Sequence, residues 1–380
     1  MDLWFEAHSN ETKCNDYEEE IMKKKILVCL ALMMTAVLLL AACGDTTPPP
    51  QGQQPAQPPA ETTPPAQEAT GDDPAEGGDT WDMAPTTALI LGTGGTAGTY
   101  YPLGGVFALV VSDRTNVNMT ITATGASADN LQQLALGHID VALAQNDVMN
   151  YAFTGTGIWV DNPAGVIDSL RTLMTLYPET VQIVVDAGSG IYSVDDLAGA
   201  RVSIGAVGSG VEANAMHVLG AHGITRDDIN VFNLNFADSA GAMRDNMIDA
   251  FFVTAATPNV AVMELATARD LRILSIADER IDALMASYPF YGRVTITSDC
   301  YSFLTEPVQT LAVQATLVTT TDLPDQVAYD IVRALIEGQA DVQAGHARGA
   351  DISPENAVYA VSVPFHPGAE RFFRELGVLN

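Results

Sequence analysis

The sequence predicts an α/β protein of two lobes, and three observations carry that prediction. From Thr86 onward short apolar runs alternate with helical patterns. Each run is followed by a loop of glycine, hydroxyl or amide residues. Those loops fall into two groups along the chain, as two separate sets of strands would place them. In an open parallel sheet such loops gather at the carboxyl edge, where helix N-termini aim unpaired N–H groups at whatever binds.

Residues 88–91 read as the first strand, and Gly92-Thr93-Gly94-Gly95-Thr96-Ala97-Gly98-Thr99-Tyr100-Tyr101-Pro102 as the loop after it. Pro102 suits the first turn of a helix running to about Val111, because an N–H is not needed there. The loop offers bare backbone donors, Thr hydroxyls and two aromatic rings, which fits a cradle for a small polar or anionic ligand. It equally fits a tight turn with packed tyrosines. Gly92-x-Gly94-x-x-Ala97 also matches a dinucleotide fingerprint, but the second strand, 119–123, ends at Thr124-Gly125 with no acid to hold a ribose.

Ser127 then reads as the cap of a helix to about Leu136, with Thr124 and Asn130 facing the cleft. The third strand, 141–144, ends in Gln145-Asn146-Asp147, where Asp147 reads as a helix cap and Gln145 as the ligand candidate. In the second group, strand 202–204 leads to Gly205-Ala206-Val207-Gly208-Ser209-Gly210 and a helix start able to hold an anion. Strand 250–253 leads to Thr254-Ala255-Ala256-Thr257-Pro258-Asn259.

Ahead of the folded part, Lys23 to Lys25 form a basic segment, 26–39 an apolar core, and Leu40-Ala41-Ala42-Cys43 a small-residue cleavage pattern. The core is shorter than the typical span of about 20 apolar residues. Residues 22–42 therefore read as a lipoprotein signal, with Cys43 the lipidation site and first mature residue. Residues 1–21, acidic and unsuited to such a signal, read as a mis-assigned extension with Met22 the true start. Residues 43–85, rich in Pro, Gln, Ala and Thr, read as a disordered tether. The expected location is extracytoplasmic, lipid-anchored to the cell membrane.

The mature chain from Cys43 carries 40 acids, 13 Arg and no Lys, a net charge near −27. That balance opposes nucleic acid or an anionic membrane surface as partner, since both demand clustered cations. Without Lys there is no P-loop lysine or Schiff base. Cys14 and Cys29 precede the cleavage point, so Cys300 has no thiol to pair with in the folded part. His217 and His222 stand five apart, the wrong spacing for a metal face, and no Gly-x-Ser-x-Gly elbow occurs. The expectation is a non-enzyme with no catalytic residue, metal or cofactor.

Gly92 to Gly104, Ala123 to Leu131, Ala144 to Asp147, Gly208 to Gly210 and Asp249 to Ala255 together resemble the TAXI family of solute receptors of tripartite ATP-independent periplasmic (TRAP) transporters. The resemblance runs in order from about Thr87 through the folded part. It implies a type II, two-lobed periplasmic-binding-protein-like fold with hinge strands, closing on one small solute and delivering it to a TRAP membrane permease. Lobe 1 would comprise 86–185 plus 308–380 and lobe 2 186–307, with 181–186 and 311–317 as hinges. The implied partner solute is a carboxylate or amino acid, glutamate or glutamine in characterised members, bound by a monomer. The match places Thr93, Gly95, Thr96, Tyr100, Tyr101, Thr124, Gln145, Ser209, Gly210 and Thr254 around the cleft. Ala97, Ala126, Asn146 and Val211 depart from the family pattern, narrowing backbone room and removing hydroxyls. A lipid-anchored sensor and an extracellular hydrolase are the alternatives.

Overall fold

A computed structural model describes residues 83–380. The expectations for 1–21, for the signal 22–42, for Cys43 and for the tether up to 82 lie outside the described residues. At the start of the described residues, Ala84 is buried and its amide donates to Asp330 Oδ2 at 2.7 Å.

Strands β1 (Thr87–Gly92), β2 (Val117–Thr122) and β3 (Val141–Gln145) alternate with helices α1 (Tyr100–Arg114), α2 (Ser127–Ala135) and α3 (Asn146–Thr154). A long strand, β4 (Leu170–Asp186), leads to a second set: β5 (Arg201–Ser203), α4 (Gly210–Ala221), β6 (Asn230–Phe232), α5 (Phe236–Arg244), β7 (Ala250–Ala255), α6 (Val260–Ala266), β8 (Leu271–Ile273), α7 (Asp278–Ser287) and β9 (Gly292–Ile296). Strand β10 (Val308–Thr320) returns, followed by α8 (Asp325–Glu337), α9 (Gln339–Gly345), α10 (Pro354–Ala357) and α11 (Pro367–Glu375).

The strands form one sheet in the order β2-β1-β3-β10-β4-β7-β5-β6, with β8 against β4 and β9 against β10. Strands β1, β2 and β3 are mutually parallel, as are β5, β6 and β7. The long strands β4 and β10 pair antiparallel and join these two halves. Strands β3 and β7 are buried on both faces and read as apolar runs without alternation, whereas β2 alternates, with Val117 and Met119 buried and Asn118 and Thr120 exposed. Within β7, Ala250 and Phe252 face the core with Val202 and Val218, while Phe251 and Val253 face the core with Met243 and Leu265. In β3, Val141 and Leu143 pack with Phe107 and Ile331, whereas Ala142 and Ala144 pack with Leu131 and Trp159.

The expected hinge segments 181–186 and 311–317 lie in β4 and β10. β10 pairs with β3 through 315–318 and with β9 through 308–312, while β4 pairs with β7 through 180–185. Pro178 and Glu179, opposite Gln314 and Val313, therefore stand where the sheet passes from one half to the other. The ladder is irregular between Gln314 and Thr316, beside Pro178, which has no N–H to give. Cys300 is buried, and no helix among the described residues is long and apolar enough to cross a membrane.

Candidate functional site

The loop after β1 turns through a Gly98 N–H to Gly95 carbonyl bond of 2.9 Å. It is held from below by buried side chains. Thr93 Oγ1 donates to the Thr122 carbonyl at 2.7 Å, and Asn130 Nδ2 donates to the carbonyls of Thr93 and Leu143, each at 2.7 Å. Gly104 lets α1 approach, since a Cβ there would stand 2.7 Å from the Thr93 methyl. The helix starts at Tyr100, two residues before Pro102, so Tyr100 enters its first turn and sends its hydroxyl inward.

After β2, Thr124 Oγ1 donates to the Thr93 carbonyl at 3.1 Å, and Ala126 takes φ 73° and ψ −145°. That conformation belongs to glycine. Ser127 is inside α2 and does not cap it. Its Oγ accepts from the Gln145 amide at 3.1 Å, tying the loop to the end of β3. Asp147 likewise does not act as the α3 cap. It sits in the first turn and receives Asn214 Nδ2 from α4 at 3.0 Å, a buried bond between the two halves. In the second half, Ser209 caps α4 by accepting the Glu212 amide at 3.2 Å, and Asn235 caps α5 by accepting the Asp238 amide at 3.0 Å.

These loops enclose a cleft of about 620 Å³, open water included. Its walls include Gly95 and Ala126 from one half and Ser209 and Phe236 from the other, with Glu179 between them at the sheet crossover. The N-termini of α1, α2, α4 and α5 all reach it. The halves meet across it, the Ala128 amide donating to the Gly208 carbonyl at 3.0 Å and Asn259 Nδ2 to the Ala97 carbonyl at 3.3 Å. None of the lining residues is an Arg or a His.

Glu179 is buried, and the Tyr100 hydroxyl donates to its Oε2 at 2.7 Å. Burial pushes its pKa up to about 8, against the pull of that bond and of Gln145 and Tyr177 within hydrogen-bonding reach, while the Asp147 charge adds to the rise. Burial raises Asp147 to about 6. Two further buried polar atoms on the lining residues, Gln145 Oε1 and Thr254 Oγ1, have no hydrogen-bond partner.

Residues 91–377 match the NMT1-like family. The chain belongs to that family. Among solved structures, the periplasmic binding protein BugD superposes with a TM-score of 0.51 at 10% identity, over 78% of this chain and 95% of its own. The alkanesulfonate-binding protein SsuA of Xanthomonas axonopodis pv. citri, bound to MOPS, gives 0.45 at 15% identity, over 77% and 84%. The fold of this NMT1-like chain is the two-lobed α/β fold of periplasmic binding proteins.

The NMT1-like cleft is lined by Gly95, Tyr100, Thr124, Gln145, Ser209, Gly210 and Thr254 of the residues expected from the sequence. Thr93, Thr96 and Tyr101 are not among its lining residues. Thr93 lies fully buried beneath the loop with its hydroxyl committed to Thr122, and Asn130, expected at the cleft, is spent on backbone carbonyls. Glu179, Asn235 and Phe236 line the cleft without having been expected. The signal for Glu179 was available: an acid and a proline, Pro178-Glu179, interrupt an otherwise apolar and Thr-rich strand. His217 stacks on Tyr288 with ring centroids 3.9 Å apart, and His222 Nδ1 pairs with Asp195 Oδ1 at 2.8 Å.

Proposed function

We propose that this NMT1-like chain is an extracytoplasmic solute receptor that binds a small organic acid or amino acid, glutamate- or glutamine-like, between its two halves. The observation that carries the proposal is a cleft of about 620 Å³, open water included, that receives four helix N-termini and the loops of both halves, with the long strands β4 and β10 between those halves. Helix starts carry partial positive charge and free N–H groups, so they hold a carboxylate without a full cation. Movement about β4 and β10 opens the cleft, and a solute touching both walls favours the closed state. The closed state is what a membrane permease recognises. The permease is of the TRAP type, by the sequence resemblance to the TAXI family, and the chain works as a monomer held to the membrane through lipid on Cys43.

A thermal-shift screen of solute-free protein against amino acids, dicarboxylates, keto acids and sugars tests binding. A compound at 100 times its dissociation constant adds about 2.7 kcal/mol. Absence of any shift across the panel refutes the receptor. Loss of membrane association in Cys43→Ser tests the anchor.

A further inference from the structure

We infer that the cleft selects solutes that carry a protonated amine, and that Glu179 is the residue that receives it; this rests on the receptor function proposed above. The cleft has two chemically different poles. At the helix starts the lining is rich in N–H donors, with Ser209 and Asn235 side chains already spent as caps. At the sheet crossover the chemistry of the lining is the reverse. Glu179 offers carboxylate oxygens, and the buried Gln145 Oε1 accepts hydrogen bonds but receives none. Thr254 Oγ1, also buried and unpartnered, stands on β7 opposite Val181, two residues along β4 from Glu179.

A plain dicarboxylate satisfies only one pole, because it brings no N–H donor to the acceptor atoms at the crossover. An ammonium group supplies three N–H donors and the missing positive charge, so it answers the acceptor atoms at this pole together. An α-amino acid spans both, its carboxylate on helix N-termini and its amine on Glu179. No cation of the protein does this work, since the cleft lining holds neither Arg nor His. The groups facing Glu179 are Tyr100 from α1, Tyr177 on its own strand, Gln145 at the end of β3 and Asp147 in α3. Burial keeps Glu179 protonated in the empty cleft at pH 7. Binding then replaces a proton by the ammonium: Glu179 O–H releases its proton to water, and the carboxylate formed accepts from the amine.

Isothermal titration of the purified, solute-free full chain with matched pairs tests this: L-glutamate against glutarate and L-alanine against propionate, with putrescine as an amine lacking a carboxylate. The expected result is that an amino acid binds at least about tenfold more tightly than its deaminated partner, because a charge-assisted bond to a buried group is lost. Titration in phosphate and in Tris at pH 7 should differ in heat by the release of about one proton. Glu179→Gln should abolish both the preference and the proton release while keeping its melting transition. Tyr100→Phe, a milder change, should weaken the amine preference about threefold to tenfold. If wild type binds glutarate as tightly as glutamate, or if Glu179→Gln keeps the preference, the amine assignment falls and the receptor stands. If no panel compound binds wild-type protein, the receptor function falls with it.

Discussion

Gly210 stands where the two halves meet across the cleft, with no room for a methyl group. It opens α4, and a Cβ placed on it would lie 1.9 Å from Gln145 Oε1, 2.3 Å from Cδ and 2.9 Å from Nε2. Non-bonded carbon contacts settle near 3.5–4.0 Å, so the Gly210→Ala methyl requires a displacement of roughly 1.5 Å. Either the Gln145 amide swings away from Glu179 into the cleft, or α4 and its half retreat. Gly210 has an ordinary negative φ, so alanine is tolerated by its backbone and is the better helix former by about 0.5–1 kcal/mol. The backbone contribution is therefore neutral or slightly favourable, and a fall in melting temperature of the solute-free chain would report the displaced Gln145.

Solute affinity should nevertheless fall. Moving Gln145 forfeits an interaction with a buried carboxyl, about 1.5–3 kcal/mol, which is roughly 10- to 100-fold in dissociation constant. The assay is isothermal titration with L-glutamate, or with the compound that replaces it in the screen, alongside thermal melting. Gln145→Ala removes the clashing atoms, so the double variant should bind no worse than Gln145→Ala alone, a coupling that separates closure from general damage. Binding by Gly210→Ala within twofold of wild type, or simple additivity in the double variant, would refute this account of closure.

Three further outcomes follow from single residues. Glu179, raised from 4.5 to about 8, keeps in the folded chain a proton that the unfolded chain releases, so its contribution to stability falls as pH rises from about 4.5 to 8. The melting advantage of Glu179→Gln over wild type should be near zero at pH 4.5 and reach a few degrees at pH 8, measured without solute. Ala126→Gly relieves a backbone at φ 73° and should add about 1 kcal/mol of stability by denaturant titration. Asn214→Ala takes the donor from buried Asp147 and should cost about 1.5–3 kcal/mol at pH 7 in the same titration, and less at pH 5, where Asp147, raised to about 6, is protonated.

Strands β3 and β7 were legible in the sequence because double burial writes itself as unbroken apolar runs, β2 because its buried and exposed residues alternate, and the loops after them because glycine and hydroxyl residues cluster there. The short edge strands β6, β8 and β9 were not, since 3 to 5 residues carry too little pattern to outweigh their surroundings. Within the loops, residue type alone could not say which way a side chain points. Thr93 and Thr124 are both hydroxyls that follow a strand, yet Thr93 is turned under the loop and Thr124 stays on the cleft wall. Asn130 and Asp147 suit a ligand or a cap equally well by chemistry. Both are instead consumed by carbonyls and amides distant in sequence, partners that only the folded chain supplies.

Glu179 escaped for a different reason, and that reason bears on function. Local pattern marks it as an error: an acid beside a proline inside a 17-residue strand that is otherwise buried. A carboxyl in such a place lowers stability at neutral pH and does nothing for strand formation. The strand tolerates it because the crossover between the two halves is also the floor of the cleft, where solvent or solute can reach one side of the group. Asp147 repeats the arrangement nearby, buried at the boundary with its donor, Asn214, supplied by the opposite half. Two buried acids at the junction, in a chain whose arginines stay out of the cleft, make the closed state dependent on what fills the space between them. An empty cleft leaves Glu179 protonated, with no cation at hand to stabilise its carboxylate. A solute carrying positive charge and N–H donors supplies what that pole lacks and draws both walls onto itself.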